Sequence, residues 1–331
     1  MIISRTPFRI SFAGGGTDLP SYYLKDDGQV ISTTIDKYIY VAVKRQTAIA
    51  EHKFRINWSK VEFTDSIDDI EHPIVREALK MMKIDFPLEI STFADIPAQT
   101  GLGSSSAFAV GLLHALHALK GEMVTKGSLA AKAAQLEIDR LDRKIGKQDH
   151  YSAAYGNINV FGFHKNGQVS VDPVFYRPET KLAVENHLML FYTAIKRDAN
   201  KILKVQSENT PNNYHILSEM KNQVKIIKEM LSSGKNLHEF GRILKQGWEL
   251  KKNLANTISS SEIDQYYENA LKAGAIGGKL LGAGGGGFLL FYVEPQNQQA
   301  VKKSLSNLYE LPFNFDTGGG TRITYYDQTE I

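Results

Sequence analysis

The residues with the clearest chemical potential lie in residues 96–107, which read IPAQTGLGSSSA and lead into an apolar run of helical periodicity. Glycines let the backbone approach a ligand closely, and a helix N-terminus presents free N–H groups and a partial positive charge. The stretch therefore predicts an anion site, most naturally for phosphate. Its serine hydroxyls add oxygen ligands of the kind that Mg²⁺ prefers. A serine helix cap after an ordinary turn is the alternative.

Two further glycine-rich segments lie toward the two ends of the chain. Residues 9–18, RISFAGGGTD, run from a strand-like pattern into three glycines and then Thr17 and Asp18, a pattern that also fits a turn closed by Asp18. Residues 279–288, KLLGAGGGGF, contain the glycine spacing of a dinucleotide fingerprint, but a run of strand length follows where that fingerprint needs a helix. A Walker A motif is missing as well. The chain must therefore bind phosphate through a different motif.

Composition narrows the class of protein. The chain has 331 residues, enough for two domains, and its 42% hydrophobic content is that of a globular protein. A net charge of +3 is too small to indicate nucleic-acid binding. With no cysteine, disulfides, zinc–thiolate sites and thiol nucleophiles are excluded. Since no signal-peptide pattern and no apolar run of membrane-spanning length occurs, we expect no membrane association and a cytoplasmic location.

Hydrophobic periodicity predicts alternating strands and helices without internal repeats. Predicted strands cover residues 8–12, 38–43, 88–93, 157–163, 188–192 and 288–293. Predicted helices cover residues 104–119, 128–144, 214–231, 237–254 and 261–273, and residues 165–168 predict a hairpin turn. The Pro- and Glu-bearing segment 176–180 is the best place to divide the chain, which gives two domains, 1–175 and 176–331, with a cleft between them.

Together, the three glycine segments resemble the motifs of the GHMP kinase superfamily, named for galactokinase, homoserine kinase, mevalonate kinase and phosphomevalonate kinase. The matching segments are residues 6–18, 101–107 and 279–288, in the family's order, and the resemblance covers nearly the whole chain. Gln99 is a small departure, because the family's loop usually has a small residue there. The resemblance implies an α+β fold of two domains. The N-terminal one is expected to be an α/β domain of the ribosomal S5 domain 2-like type, and the C-terminal one a ferredoxin-like α+β domain.

Within the superfamily, the first motif is most similar to that of the sugar-1-kinases that act on heptose 7-phosphate, with fucokinases next. Galactokinases carry Glu and His where this chain has Gly15 and Gly16, which argues against galactose and for a bulkier sugar. The resemblance implies that the chain phosphorylates the anomeric hydroxyl of a small-molecule sugar or sugar phosphate, using ATP and Mg²⁺. Fucokinase- and galactokinase-type activities are the alternatives. A decarboxylase on this fold and a non-catalytic sugar sensor are alternatives of a different class.

The resemblance also assigns roles around the phosphates. Backbone donors to ATP are expected from Gly101, Leu102, Gly103, Ser104, Ser105 and Ser106. Ser105 would bind Mg²⁺, with Ser104 and Ser106 as close alternatives. Glu137 matches the family's metal-binding carboxylate, although a lone glutamate in a helix is more often simply solvated.

Asp149 follows a break in the helical pattern at Gly146 and is similar to the family's catalytic base or hydroxyl anchor. Because a carboxylate is a weak base toward a sugar hydroxyl, proton removal is expected late in phosphoryl transfer. Arg9 aligns with the arginine that flanks the transferring phosphate. The alternatives are a helix cap for Asp149 and an ordinary strand residue, paired with solvent or a neighbouring acid, for Arg9. His150 is interpreted as a hydrogen-bonding neighbour of the site.

Asp18 aligns with the carboxylate that holds sugar hydroxyls. The expected substrate contacts are Gly15, Gly16, Thr17, Asp18, Gly284, Gly285 and Arg197. Arg197, together with Lys196, could clamp a substrate phosphate, since arginine binds phosphate through two hydrogen bonds. A pair of solvated basic side chains is the commoner meaning of such a dipeptide. Trp58 fits either stacking on adenine or core packing.

Overall fold

The computed structural model describes residues 1–47, 49–195 and 199–327. The strands are β1 (Ile2–Ala13), β2 (Gly28–Arg45), β3 (Phe54–Asn57), β4 (Val61–Thr64), β5 (Leu88–Ala94), β6 (Asn159–Phe163), β7 (Val169–Pro173), β8 (Leu188–Tyr192), β9 (Ala275–Leu280), β10 (Phe288–Val293), β11 (Tyr309–Glu310) and β12 (Arg322–Tyr326). The α-helices are α1 (Pro20–Tyr23), α2 (Pro73–Met81), α3 (Ser104–Leu119), α4 (Lys126–Gln135), α5 (Gln148–Tyr155), α6 (Pro178–His187), α7 (Ala199–Glu208), α8 (Tyr214–Ser233), α9 (Glu239–Lys252), α10 (Ser261–Lys272) and α11 (Gln298–Ser304). None of the described helices is long and apolar enough to cross a membrane.

An eight-stranded sheet carries the first half of the chain. Its main order is β12-β1-β2-β5-β3-β4, and β6 joins the end of β2 and pairs with β7. The long strand β2 organises this sheet, because it pairs with β1 along its length, with β6 at one end and with β5 at the other. Helices α3 and α5 pack on β1 and β2 and cover this face of the sheet. The N-terminal ends of α3 and α5 therefore lie beside β1.

A four-stranded antiparallel sheet of order β11-β8-β10-β9 carries the second half. Its strands β8 and β10 are apolar almost throughout, their side chains belong to the buried cores, and α6 and α9 pack on β10. Helices α8 and α9 link the two sheets: α8 packs on β1 and β2, while α9 packs on β9 and also reaches β1. The last strand, β12, returns to the first sheet and pairs with β1. The fold is the mixed two-part α+β architecture that the motifs imply.

Most predicted elements lie where their periodicity puts them. Helix α3 and strands β8 and β10 have the predicted bounds, and residues 165–168 form the turn between β6 and β7. The helix predicted over residues 128–144 is wrong at its end. After α4 the chain continues through a π-helical turn, Leu136–Arg140, and then leaves the helix. Asp142, with a φ of 50°, is in the left-handed region, which stops the helical hydrogen-bond ladder.

Candidate active site

A cavity of about 880 Å³ lies where the two sheets meet. Its walls come from β1, from the segment that begins α3, from the start of α5, from α7 and from the loop after β9. The first and second glycine segments contribute predicted site residues to its lining, among them Arg9 and Ser105. The third segment contributes Gly282, which was not among the predicted site residues. A cavity of this size and polarity fits a nucleotide together with a small substrate.

The phosphate loop is the segment 100–106 that begins α3. Gly103 occupies the position before the helix with a left-handed φ of 75°, and no side chain caps the first turn. A Cβ atom on Gly103 would lie 3.3 Å from Arg9 and from Asp149, so the backbone approaches these side chains closely. Because the first turn of a helix lacks internal acceptors for its N–H groups, Ser104, Ser105 and Ser106 offer donors to an anion.

The third glycine segment supports this loop. The Phe288 N–H donates to the Thr100 carbonyl at 3.1 Å, and a side chain on Gly287 would collide with that same carbonyl. Gly282 and Ala283 line the cavity. The predicted substrate contacts Gly284 and Gly285 are set back from the lining and are held against Ile258, whose carbonyl accepts from the Gly285 N–H at 2.7 Å.

Ser105 and Glu137 lie together at the phosphate loop. The Ser105 hydroxyl donates to the Glu137 carboxylate at 2.5 Å, and Arg143 donates to the Ser105 oxygen at 2.6 Å and to the carboxylate. A π-helical turn, a feature often found at functional sites, directs Glu137 toward the loop. Within the described ranges no group of three or more His, Cys, Asp or Glu side chains could hold a metal. One carboxylate and one hydroxyl nevertheless suit Mg²⁺, which takes its remaining ligands from phosphates and water.

Glu137 is fully buried and stays ionised. Burial alone would raise its pKa, but the hydrogen bond and charge of His150, with Arg143 and Ser105, lower the pKa to about 2. His150 is also fully buried, and its Nε2 lies 2.8 Å from the second carboxylate oxygen. His150 therefore supports Glu137 and holds the carboxylate in one orientation.

Arg9 and Asp149 form the centre of the cavity. The Arg9 guanidinium donates to both carboxylate oxygens of Asp149, at 2.7 and 2.8 Å, and its remaining nitrogen donates to the Gly101 carbonyl at 2.6 Å. Asp149 lies in the first turn of α5, as the break at Gly146 predicts. The arrangement links a carboxylate, a cation and the phosphate loop within one set of hydrogen bonds.

Asp18 is buried and lines the same cavity as Arg9 and Asp149. Its carboxylate accepts from the backbone N–H groups of Gly16, at 3.0 Å, and Gln148, at 3.3 Å. Burial, followed by the charge of Asp149, raises the pKa of Asp18, whereas those backbone donors lower it. Thr17 does not line the cavity, because its hydroxyl donates to the carbonyls of Gly14 and Gln29 and so closes the turn.

Gly15 and Gly16 leave different spaces at the cavity wall. A side chain on Gly16 would collide with the amide of Gln206, which α7 brings to this position. A Cβ atom on Gly15 would meet nothing closer than 3.8 Å, an ordinary van der Waals contact, so a methyl group fits there without collision. The predicted phosphate-clamp residue Arg197 lies outside the described residues, as does Lys196.

An aromatic group forms another wall of the cavity. Trp58 is partly exposed at 37%, and its ring meets His72 edge-on at 4.7 Å, while His72 lies 5.0 Å from the Phe108 ring. The Trp58 N–H donates to Glu62 at 2.6 Å. Burial lowers the pKa of His72 to about 4 and keeps its ring neutral. This wall offers flat, uncharged surfaces of the kind that a purine base contacts.

The cavity residues that the sequence analysis missed include Arg143, Lys279, Ser11 and Gln148. Lys279 stands at the head of the third glycine segment, and its buried ammonium donates to the Phe12 carbonyl at 3.0 Å. Ser11 lies two residues after Arg9, and side chains at that spacing share one face of a strand, so alternation in β1 could have found it. Nothing in the local sequence distinguishes Arg143 from its basic neighbours.

Comparison with known proteins gives one family. Residues 73–157 match the profile described as GHMP kinases N terminal domain, and residues 224–311 match the profile described as GHMP kinases C terminal. The D-glycero-alpha-D-manno-heptose 7-phosphate kinase of Campylobacter jejuni is 30% identical over 92% of this chain and 93% of its own length. The L-fucokinase/L-fucose-1-P guanylyltransferase of Bacteroides fragilis is 28% identical over 92% of this chain, which spans 36% of that longer protein.

Solved structures agree with this result. The crystal structure of a D-glycero-D-manno-heptose 1-phosphate kinase from Bacteriodes thetaiotaomicron superimposes with a TM-score of 0.81. The two chains are 25% identical, and the match covers 99% of this chain and 100% of the other. The arrangement of both sheets is therefore that of the solved structure.

Proposed function

The chain belongs to the GHMP kinase family and is an ATP-dependent sugar kinase, and from that premise we propose that its acceptor is the anomeric hydroxyl of D-glycero-D-manno-heptose 7-phosphate. The product would be the 1,7-bisphosphate. We also propose that residues 1–175 and 176–331 are the two domains, with β12 returning to the first.

The Arg9–Asp149 pair beside the phosphate loop carries the proposal for the reaction. Phosphoryl transfer needs in-line positioning and charge neutralisation more than covalent catalysis. Arg9 contacts the Gly101 carbonyl and the Asp149 carboxylate, so it lies between the expected phosphates and the expected acceptor. In our proposal Asp149 holds and finally deprotonates the acceptor hydroxyl, while Asp18 orients the sugar through its hydroxyls.

The nucleotide would bind on the side of the phosphate loop that is opposite the Arg9–Asp149 pair. We assign the ATP phosphates to the free N–H groups of Ser104, Ser105 and Ser106, and the adenine to the aromatic wall at Trp58. Ser105 and Glu137 would hold Mg²⁺, which when bound neutralises phosphate charge. The Arg143 guanidinium, which reaches both of these side chains, adds a cation for the same phosphates.

Two observations support heptose 7-phosphate over other sugars. The Campylobacter jejuni relative covers this chain almost end to end at 30% identity. The first motif has glycine at positions 15 and 16, where galactokinases carry larger polar side chains, and a Cβ atom at Gly15 would meet only ordinary contacts. A fucokinase-type activity is the second candidate, because the Bacteroides fragilis relative is 28% identical over the same share of the chain.

A substrate screen tests the proposal. Purified protein with Mg-ATP is offered heptose 7-phosphate, unphosphorylated heptose, fucose, galactose and mannose, and ADP release is followed. Phosphorus NMR of the product then identifies the phosphorylated carbon. We expect heptose 7-phosphate to give the highest kcat/KM and an anomeric phosphate, with no release of CO₂. A preference for fucose or galactose, or a phosphate on another carbon, would overturn the assignment of substrate or position. Sugar binding without turnover would indicate a sensor.

A further inference from the structure

Two polar side-chain oxygens at the cavity wall have no hydrogen-bond partner among the described residues. Residue Ser11 is 7% exposed. Neither its hydroxyl nor the side-chain carbonyl of Gln148 has a hydrogen-bond partner within the described part of the chain. Both residues line the cavity. Burying a polar group without a hydrogen bond is costly, so proteins retain few such groups. A ligand that enters the cavity could satisfy both.

Gly15 lies between these two side chains. A Cβ atom built on Gly15 would lie 3.9 Å from the Ser11 hydroxyl oxygen and 3.8 Å from the Gln148 amide nitrogen. The space above Gly15 therefore admits a small group in ordinary van der Waals contact with a hydroxyl and an amide. We call Ser11, Gly15 and Gln148 the Gly15 recess.

The Gly15 recess adjoins the proposed reaction centre. Ser11 and Arg9 are two residues apart on β1 and share one face of the strand, since side chains alternate along it. Gln148 immediately precedes Asp149 in the first turn of α5, and its backbone N–H donates to Asp18. A group held in the recess would thus lie close to the hydroxyl that Asp149 contacts.

We propose that the Gly15 recess binds a hydroxyl of the sugar that neighbours the phosphorylated hydroxyl, and that it thereby selects the acceptor. This proposal rests on the proposed sugar-kinase site. A sugar hydroxyl both donates and accepts, so it can accept from the Gln148 amide nitrogen, which borders the recess, and donate to the Ser11 oxygen.

This role predicts opposite effects on stability and binding. Ser11→Ala removes a buried hydroxyl that has no partner in the free protein, so thermal stability should stay the same or rise. The KM for the sugar should increase roughly tenfold, the effect of one lost hydrogen bond, while the KM for ATP stays constant. Gly15→Ala should raise the sugar KM too, since its methyl group makes only ordinary contacts in the free protein but fills the space for the hydroxyl.

Ser4→Ala is the matched control on the same strand. Its hydroxyl is buried and already donates to the Gly111 carbonyl at 2.8 Å, and Ser4 does not line the cavity. We expect this variant to lower thermal stability and to leave the sugar KM unchanged. Equal changes of sugar KM in Ser4→Ala and Ser11→Ala would assign Ser11 a structural role and overturn the proposal.

Deoxy analogues of the accepted sugar identify the bound hydroxyl. The sugar KM of each single-deoxy analogue is measured with wild type and with Ser11→Ala. The four values at each ring position form a double-mutant-type cycle of variant and analogue. At one ring position next to the reacting carbon, the loss caused by the analogue should largely disappear in Ser11→Ala, because both changes remove the same contact. Additive losses at every position would overturn the proposal.

The cycle is run on whichever sugar the wild type phosphorylates best, so the two proposals fail separately. A wild type that prefers fucose, with the expected cycle on fucose, overturns heptose 7-phosphate as substrate and supports the recess. Turnover of heptose 7-phosphate with a sugar KM that Ser11→Ala does not change overturns the recess alone. A wild type that phosphorylates none of the sugars overturns both.

Discussion

The Arg9 guanidinium and the Asp149 carboxylate face each other through two hydrogen bonds of 2.7 and 2.8 Å, although one residue comes from β1 and the other from α5. The Arg9 side chain is 5% exposed, while that of Asp149 keeps 22% of its surface accessible. Arg9 also donates to the Gly101 carbonyl of the phosphate loop. One buried cation therefore fixes the orientation of a partly accessible carboxylate relative to the loop.

Replacing Asp149 by Asn should slow catalysis without impairing nucleotide binding. Asn keeps the size of the side chain and one acceptor for Arg9, but it removes the charge and the base. We expect kcat to fall by roughly 10²–10⁴, the usual loss for a general base. ATP affinity, measured by calorimetry, should change little. Asp142→Asn is the control, since Asp142 lies on an exposed loop with its side chain 83% accessible. A kcat near the wild-type value in Asp149→Asn would leave Asp149 a positioning role only.

Replacing Glu137 by Gln should raise the Mg²⁺ concentration needed for half-maximal activity. The ionised carboxylate offsets the cost of desolvating the cation, and a neutral amide does not. Because Gln can still hydrogen-bond to Ser105 and His150, we expect the fold to persist, as circular dichroism would check. Activity should recover in part at high Mg²⁺ concentration.

Glu77→Gln is the matched control for that experiment. Glu77 pairs with Arg140 at 3.0 Å, so this change also removes a carboxylate from an arginine, but at a site that does not line the cavity. Its Mg²⁺ dependence should equal that of the wild type. If Glu137→Gln also kept the wild-type dependence, the assignment of Glu137 to the metal would be wrong.

Replacing Arg143 by Gln should weaken nucleotide binding. Its guanidinium donates to the Ser105 hydroxyl and to Glu137, so it stands at the start of α3 where we expect the phosphates. We expect the KM for Mg-ATP to rise roughly tenfold, consistent with the loss of a charged hydrogen bond, and the sugar KM to stay constant. Arg140→Gln, which removes the partner of Glu77, should change neither KM. A rise in the sugar KM alone would place Arg143 at the acceptor.

The sequence predicted the local elements of this site better than the contacts between them. The helix start at Ser104 and the break before Asp149 follow from glycine positions and apolar periodicity, which are local properties. The three motifs identified the family because each has a fixed order of residue types. That Glu137 faces Ser105 depends on a π-helical turn, which the helical periodicity of residues 128–144 does not reveal.

Residues that meet only through the tertiary fold could not be predicted from spacing. Ser11 and Gln148 come from β1 and α5. Among the described residues, the Ser11 hydroxyl and the Gln148 side-chain carbonyl lack partners, which is a property of the packed cavity. Lys279 stands beside glycines that attract attention first, yet it is buried and reaches the Phe12 carbonyl across the two sheets. The roles predicted for the site residues stay predictions until the variants are measured.

The buried Lys279 should make the free energy of unfolding depend on pH between about pH 7 and pH 10, and a variant of this residue can measure its contribution. Burial, followed by the charge of Arg9, lowers the pKa of Lys279 from 10.5 to about 7. Between these two values the unfolded chain binds more protons than the folded one, so the free energy of unfolding should rise with pH, by at most about 1.4 kcal/mol for each pH unit.

Urea unfolding of wild type and Lys279→Met measures this contribution as the difference between the two proteins. We expect that difference to be constant below about pH 6 and to change in favour of the wild type between about pH 7 and pH 10. A difference that stays constant across the whole range would mean that Lys279 titrates alike in the folded and unfolded chain, and that its ammonium is not desolvated at the junction of the two sheets.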